Sequence, residues 1–229
     1  MLVVSEAFKD AYPGACAGAL VMHGVRNPDF HPALDQQRVD LERQLRERYA
    51  GLDRAGLKQL PAIRAYNAYY ARFGQSYHVQ HQLESVVLKG RSTSRSGALV
   101  LAMFLAEIKN LLLTAGHDLA AVQVPVMLTV ATGAERYTLL NGQEQALKPG
   151  DMIMCDRQGV ISSVLYGPDS RTRIQASTGD VLFAVYAPEG IGAQAVRQHL
   201  QDLAATVRLV APMAQVESLD VTGDLYAGN

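Results

Sequence analysis

The chain has 229 residues, 48% of them apolar and 19% charged, with a formal net charge of −1. That balance supports a sizeable packed core and excludes a disordered chain. It also excludes a dedicated nucleic-acid coat surface, while leaving room for a local basic patch. No run approaches the roughly 20 apolar residues of a membrane span; the apolar stretch Ala98–Ala106 is followed at once by Glu107 and Lys109. The first residues, MLVVSEAFKDAYPG, carry an early acid and no basic segment, so no signal peptide and a cytoplasmic location are expected. Cys16 and Cys155 have no neighbour at metal or redox spacing and read as two buried thiols.

In chain order, Met1–Phe8 and Ala15–Gly24 read as strands, the second rich in small residues that suit close approach of a neighbouring backbone. Asp35–Tyr49 is a charged surface helix with apolar teeth at Val39, Leu41 and Leu45. Pro61, at a first helical position, opens PAIRAYNAYYARF, which sets Ile63, Tyr66, Tyr70 and Phe73 on one face before Gly74 ends it. Gln82–Lys89 is a short helix closed by Gly90. The polar, basic KGRSTSRSG then connects it to a long apolar helix, Ala98–Leu113, expected to end near Gly116-His117-Asp118. From Val122 the period switches to strands: VQVPVMLTVAT, ERYTLL, a turn at Asn141-Gly142, and a meander from Lys148 to Gly190 punctuated by polar turns. A last helix, Ala193–Val207, keeps Val196, Leu200, Leu203 and Val207 in register, and a short strand follows Pro212. With no internal repeat or low-complexity linker, residues 1–229 read as a single α+β domain. Its sheet is expected to be mixed or mainly antiparallel and flanked by helices.

Two stretches carry a family resemblance. AIRAYNAYYARFG, a short helix, KGRSTSRSG and LAEIKNLLLTAGHDL come first. GAERYTLLNGQEQALKPGDMIMCDRQGVISSVLYGPDSRTRIQASTGDVLFAVYAPEG follows. In order and spacing, over roughly Pro61 to Gly190, they resemble free-standing relatives of the B3/B4 editing domain of the phenylalanyl-tRNA synthetase beta subunit. The shared pattern is a helix with an Asn near its end (Asn110), a small turn, a strand pair and a Gly-containing loop. In the synthetase that turn carries a His beyond a Gly-Gln-Pro motif; here the position is close to Ala120, with His117 nearby. Where the synthetase has Gly-Gly-Glu, this chain reads Gly167-Pro168-Asp169, with Ser170 at the acid's ungapped position. Both departures bear on which amino acid is recognised.

The resemblance implies hydrolysis of an ester between an amino acid and the terminal ribose of tRNA. Such an ester is already activated, so holding it, polarising its carbonyl and placing one water suffices. No side-chain nucleophile is needed, which agrees with the absence of a G-x-S-x-G elbow or a Cys/His pair. His117, Asn110 and Asp169 are the catalytic candidates. Asp118, Tyr166, Gly167, Ser170 and Arg171 are the substrate-binding ones, with Asp156 a further acid near a turn. Lys89, Arg91 and Arg95 would meet the phosphates of the tRNA 3′ end. No cofactor is implied, and His78 and His81 lack a third ligand at metal spacing.

Each candidate has a plainer explanation. His117 could interact with a helix C-terminus, and Asn110 could satisfy buried backbone. Asp169 is a good turn residue in Gly-Pro-Asp-Ser, and Arg171 and Arg173 alternate as on a solvated strand edge. Tyr66, Tyr69 and Tyr70 pack more naturally in a core than under bases. The rival function is a non-catalytic module binding RNA or a small amino-acid-like ligand, and near-neutral charge favours the small ligand. The pattern assigns no oligomeric state.

Overall fold

The structure, a computed structural model, describes residues 2–93 and 96–222. Arg95, one of the three expected phosphate contacts, lies outside the described residues. The chain opens with β1 (Leu2–Val4), α1 (Glu6–Ala11), β2 (Cys16–His23), α2 (Pro32–Arg48), α3 (Arg54–Lys58), α4 (Pro61–Ala71), α5 (His78–Val87) and α6 (Ala98–Asn110). Next come β3 (Thr114–Asp118), a 3₁₀ turn (Leu119–Ala121), β4 (Val126–Val130), β5 (Arg136–Thr138), β6 (Glu144–Ala146), β7 (Met152–Asp156), β8 (Gly159–Ser163) and β9 (Gly167–Pro168). β10 (Asp180–Ala187), α7 (Ala193–Val210) and β11 (Gln215–Val221) complete it.

The strands form two main sheets. One, ordered β1-β4-β7-β8-β9, is mixed: β1 runs parallel to β4 and the remaining pairs are antiparallel. The other, β11-β2-β10-β3, is antiparallel throughout. β5 and β6 make a separate hairpin. The fold is therefore α+β with mixed and antiparallel sheets, as the sequence pattern leads one to expect.

The second sheet packs on both faces, which is why β2 and β10 read as unbroken apolar runs. On one face Tyr186 of β10 reaches Ser162 of β8 in the first sheet. On the other, α7 lies against β2. A Cβ at Gly18 would stand 2.7 Å from Val196 Cγ1 and 2.8 Å from Leu200 Cδ1, so the small residues of β2 admit helix side chains. The aromatic face of α4 is core: Tyr66 stacks on Tyr77 with centroids 4.2 Å apart, and Tyr66, Tyr69 and Tyr70 are all buried.

Several expectations are corrected. The first strand stops at Val4, because the Ser5 hydroxyl accepts the Phe8 amide at 3.1 Å and caps a helix. Asp53 likewise caps the short α3, accepting the Gly56 amide at 2.8 Å; no periodicity announced it. On α2, Val39 is exposed and the inward face is Leu34, Arg38, Leu41, Glu42 and Leu45. Glu42 is buried because it ties down the basic connection, accepting Ser92 Oγ at 3.1 Å and the Thr93 amide at 2.8 Å. The long apolar helix ends at Asn110, not Leu113. Leu111 adopts φ 61°, a left-handed conformation that reverses the chain. The expected helix terminus at Gly116-His117-Asp118 is instead strand β3, paired with Val181–Val185 of β10. Long-range pairing outweighs local helix propensity here.

Candidate functional site

β3 is the outer strand of its sheet; its end at His117–Asp118 is bridged by Thr172–Arg173, while Thr114, Ala115 and Gly116 line a cavity of about 480 Å³. Helix α6 supplies one wall through Val100, Met103, Phe104 and Glu107, a helical i, i+3, i+4, i+7 face. The segment from Ser163 to Pro168, joining β8 to β9, supplies the opposite wall, with Tyr186 between the two. His78, Leu140 and Arg173 are exposed and stand at the mouth. The volume is within the range of small-molecule sites, and the lining is chiefly apolar.

Glu107 is the exception. It is 1% exposed; its Oε1 accepts the Thr114 amide at 2.8 Å, and its Oε2 has no hydrogen-bond partner. Burial pushes its pKa up to about 8, so near neutrality it is mainly a protonated acid. Thr114 also holds His199 of α7, whose Nε2 lies 2.7 Å from Thr114 Oγ1 and whose pKa burial pushes down to about 4.

The facing wall is braced. Ser163 Oγ donates to Asp151 and accepts the Tyr166 amide at 3.1 Å. Asp151 also accepts the Tyr69 hydroxyl, and burial raises its carboxyl to about 6. The Gly167 carbonyl accepts Tyr137 OH at 2.9 Å, and the residue's φ of 84° explains a glycine there.

A second polar cluster lies beside the cavity, and it gathers most of the residues singled out from the sequence. His117 is fully buried on β3, with Nδ1 2.7 Å from Thr172 Oγ1; the Thr172 hydroxyl in turn donates to Asp169. That direction makes Nδ1–H the donor and leaves Nε2 unprotonated and unpartnered. Burial, helped by Arg171, pushes the His117 pKa down to about 3. Burial raises the Asp169 carboxyl. Arg171 bonds Asp156 at 2.9 Å and the Ala121 carbonyl at 2.7 Å, and its Nε stands 3.6 Å from Asp169. Burial works to raise the Asp156 carboxyl, but the Gln123 and Gln158 amides and Arg171 hold it below its ordinary value. Asp118 accepts the Ala120 amide at 3.1 Å and Thr178 Oγ1 at 2.8 Å, while its own amide donates to Thr172 O at 2.7 Å. The Ser170 amide donates to Thr138 O at 2.8 Å. Together these bonds fix the segment 169–174 between β3 and β5, and that segment carries Arg173 and Ile174 to the cavity.

Of the expected substrate-binding residues, Tyr166 and Gly167 line the cavity; Asp118, Ser170 and Arg171 belong to the bracing cluster. Asn110 faces away, its Nδ2 3.0 Å from Asp202 Oδ2 of α7. Lys89 and Arg91 are exposed just past α5. His78 is the first residue of α5, so both lie past the end of the helix opposite the mouth. Arg171 and Arg173 do not share a solvated edge, because the segment is irregular; the first is half-buried and ion-paired, the second exposed at the mouth. Among the described residues no group of three or more His, Cys, Asp or Glu could hold a metal ion, and no helix is long and apolar enough to cross a membrane. Glu107 was missed, although an acid on the apolar face of ALVLAMFLAEIKN is a legible signal of a buried polar group.

The cavity and its bracing cluster fall largely within residues 107–220, which match the model of the B3/4 domain. The chain carries a B3/4 domain. It is similar to the phenylalanine–tRNA ligase beta subunit of Anaeromyxobacter dehalogenans, 29% identical over 150 residues, which cover 60% of this chain and 18% of the subunit. It is also similar to that of Mycoplasma pneumoniae, 33% identical over 69 residues, covering 30% of this chain and 9% of the subunit. The chain thus spans less than a fifth of these relatives. Its fold matches an N-terminal fragment of the phenylalanyl-tRNA synthetase beta subunit from Pyrococcus horikoshii. There the TM-score is 0.51 and identity 13%, over 97% of this chain and 54% of the fragment. The B3/4 domain is thereby related to the synthetase beta subunit, and the likeness extends over nearly the whole chain.

Proposed function

We propose that this B3/4 protein hydrolyses a mischarged aminoacyl-tRNA in trans, releasing the amino acid and leaving the tRNA intact. The observation that carries this reading is the apolar cavity of the B3/4 domain, roomy enough for a whole aminoacyl group and opening beside Arg173. The aminoacyl group enters the cavity while the terminal ribose and phosphate stay at the mouth, near Arg173 and His78. Water adds to the ester carbonyl, the bond to the ribose oxygen breaks, and that oxygen leaves with a proton. Tyr166 and Gly167 contact the aminoacyl group, and loop amides around Gly167 polarise the carbonyl. His117 and Asp169 act through the loop that they and Thr172 hold, with Asp118, Ser170 and Arg171 fixing its two ends. Asn110 acts by docking α6, the cavity's wall, on α7. Lys89, Arg91 and Arg95 take phosphates farther along the tRNA.

A second reading, binding of a small amino-acid-like ligand without turnover, is favoured by two observations. The Ser163 hydroxyl is already committed to Asp151, and Ala120 is an exposed residue of the 3₁₀ turn with no imidazole to offer. Incubation with a panel of mischarged tRNAs separates the two. Amino-acid release above the spontaneous rate supports hydrolysis; saturable binding with no release supports the second reading.

A further inference from the structure

Glu107, which lines the cavity, carries a buried polar atom that the protein leaves without a partner. Glu107 Oε1 already accepts the Thr114 amide, whereas Oε2 is buried with no donor. The hydroxyls around it are spoken for: Tyr66 donates to Tyr186 O, Tyr70 to Val164 O at 2.6 Å and Tyr77 to Leu111 O at 3.1 Å. Behind it, His199 is engaged by Thr114 and neutral, and the lining His78 and Arg173 are exposed at the mouth. No buried cation among the described residues therefore complements this carboxyl. A ligand bearing N–H donors and a positive charge supplies both the missing hydrogen bond and the counter-charge.

We propose that Glu107 anchors the ligand, its Oε2 receiving the ammonium group of an amino-acid-like molecule whose apolar side chain lies against Val100, Met103 and Phe104. The ligand class rests on the aminoacyl-ester reading; the assignment of Glu107 rests on the cavity. Because the carboxyl is mainly protonated before binding, an arriving ammonium ionises it and a proton is released.

The test is calorimetric titration of L-phenylalaninamide, L-leucinamide and L-methioninamide, and of their N-acetyl counterparts, near neutral pH in two buffers of different ionisation enthalpy. Wild type is expected to bind at least one free-amine probe with proton release and to lose it when the amine is acetylated. Glu107→Gln keeps the volume and the acceptor for the Thr114 amide. It is expected to weaken binding at least about tenfold, the scale of one charge-assisted hydrogen bond. Equal binding of the acetylated probes, unchanged binding by Glu107→Gln, or no saturable binding of any free-amine probe overturns the assignment. Deacylation of mischarged tRNA by Glu107→Gln at the wild-type rate sinks the anchor and leaves the hydrolase reading standing. Glu107-dependent probe binding with no deacylation does the reverse.

Discussion

Replacing Glu107 by Gln isolates what burial does to one carboxyl. Burial raises its pKa from 4.5 to about 8. At about 1.36 kcal/mol per pKa unit, ionised Glu107 costs the folded state about 5 kcal/mol relative to the unfolded chain. Between those two pKa values the folded chain keeps a proton that the unfolded chain has lost, so stability falls as pH rises across that window. Below pH 4.5 the contribution is fully present, and above about pH 8 it is gone. Gln carries no such charge, fills the same space and still accepts the Thr114 amide. The stability of Glu107→Gln minus that of wild type should therefore climb with pH, reaching several kcal/mol at about pH 9. Asp151, raised to about 6 by burial, adds a slope of its own to both proteins and cancels in the difference. Urea unfolding across this range measures it; a difference that stays flat with pH would refute the reasoning.

Acid should weaken the fold from the opposite side. His117 and His199 are held near 3 and 4, below the ordinary 6.5, so the unfolded chain binds protons first and stability declines as pH falls below about 6.5. Imidazole resonances of both should stay in the neutral form at pH 5 to 6, and titration there would contradict the burial argument. Thr172→Val removes the hydroxyl between His117 and Asp169, leaving buried His117 Nδ1 without a partner while Asp169 keeps the backbone amide of residue 172 at 3.0 Å. It should cost about 1–3 kcal/mol in denaturant melts, and an unchanged midpoint would deny the chain any structural role. Gly18→Ala sets a methyl 2.7 Å from Val196 and should cost about 1–3 kcal/mol by lifting α7 from β2, checked by the thermal midpoint. Arg173→Ala, exposed at the mouth, should change stability by less than about 0.5 kcal/mol yet raise the KM for a charged tRNA; an unaltered KM would remove Arg173 from the site.

The fold was legible where local pattern and tertiary context agree. Val196, Leu200, Leu203 and Val207 predict the buried face of α7, and Ile63, Tyr66 and Tyr70 that of α4, because each sits at helical spacing on one side. The pattern failed where a long-range partner decides. Leu111–Leu113 continues an apolar helix in composition, but the open edge of β10 draws Thr114–Asp118 into a sheet, and Leu111 turns left-handed to allow it. The candidate site was legible as a neighbourhood. Tyr166 and Gly167 line the cavity, and His117 and Asp169 meet through Thr172, a residue with no sequence signal of its own, with Arg171 beside Asp169. Which way each side chain points depends on strand register: a shift of one residue reverses the face, and register across 55 positions, from His117 to Thr172, is not written locally.

The most direct test of the central claim is the rate at which this protein releases amino acids from a panel of mischarged tRNAs. The account predicts faster release than the spontaneous rate for at least one amino acid with an apolar side chain, diminished by Arg173→Ala at the cavity mouth. Release at the spontaneous rate across the whole panel would contradict it.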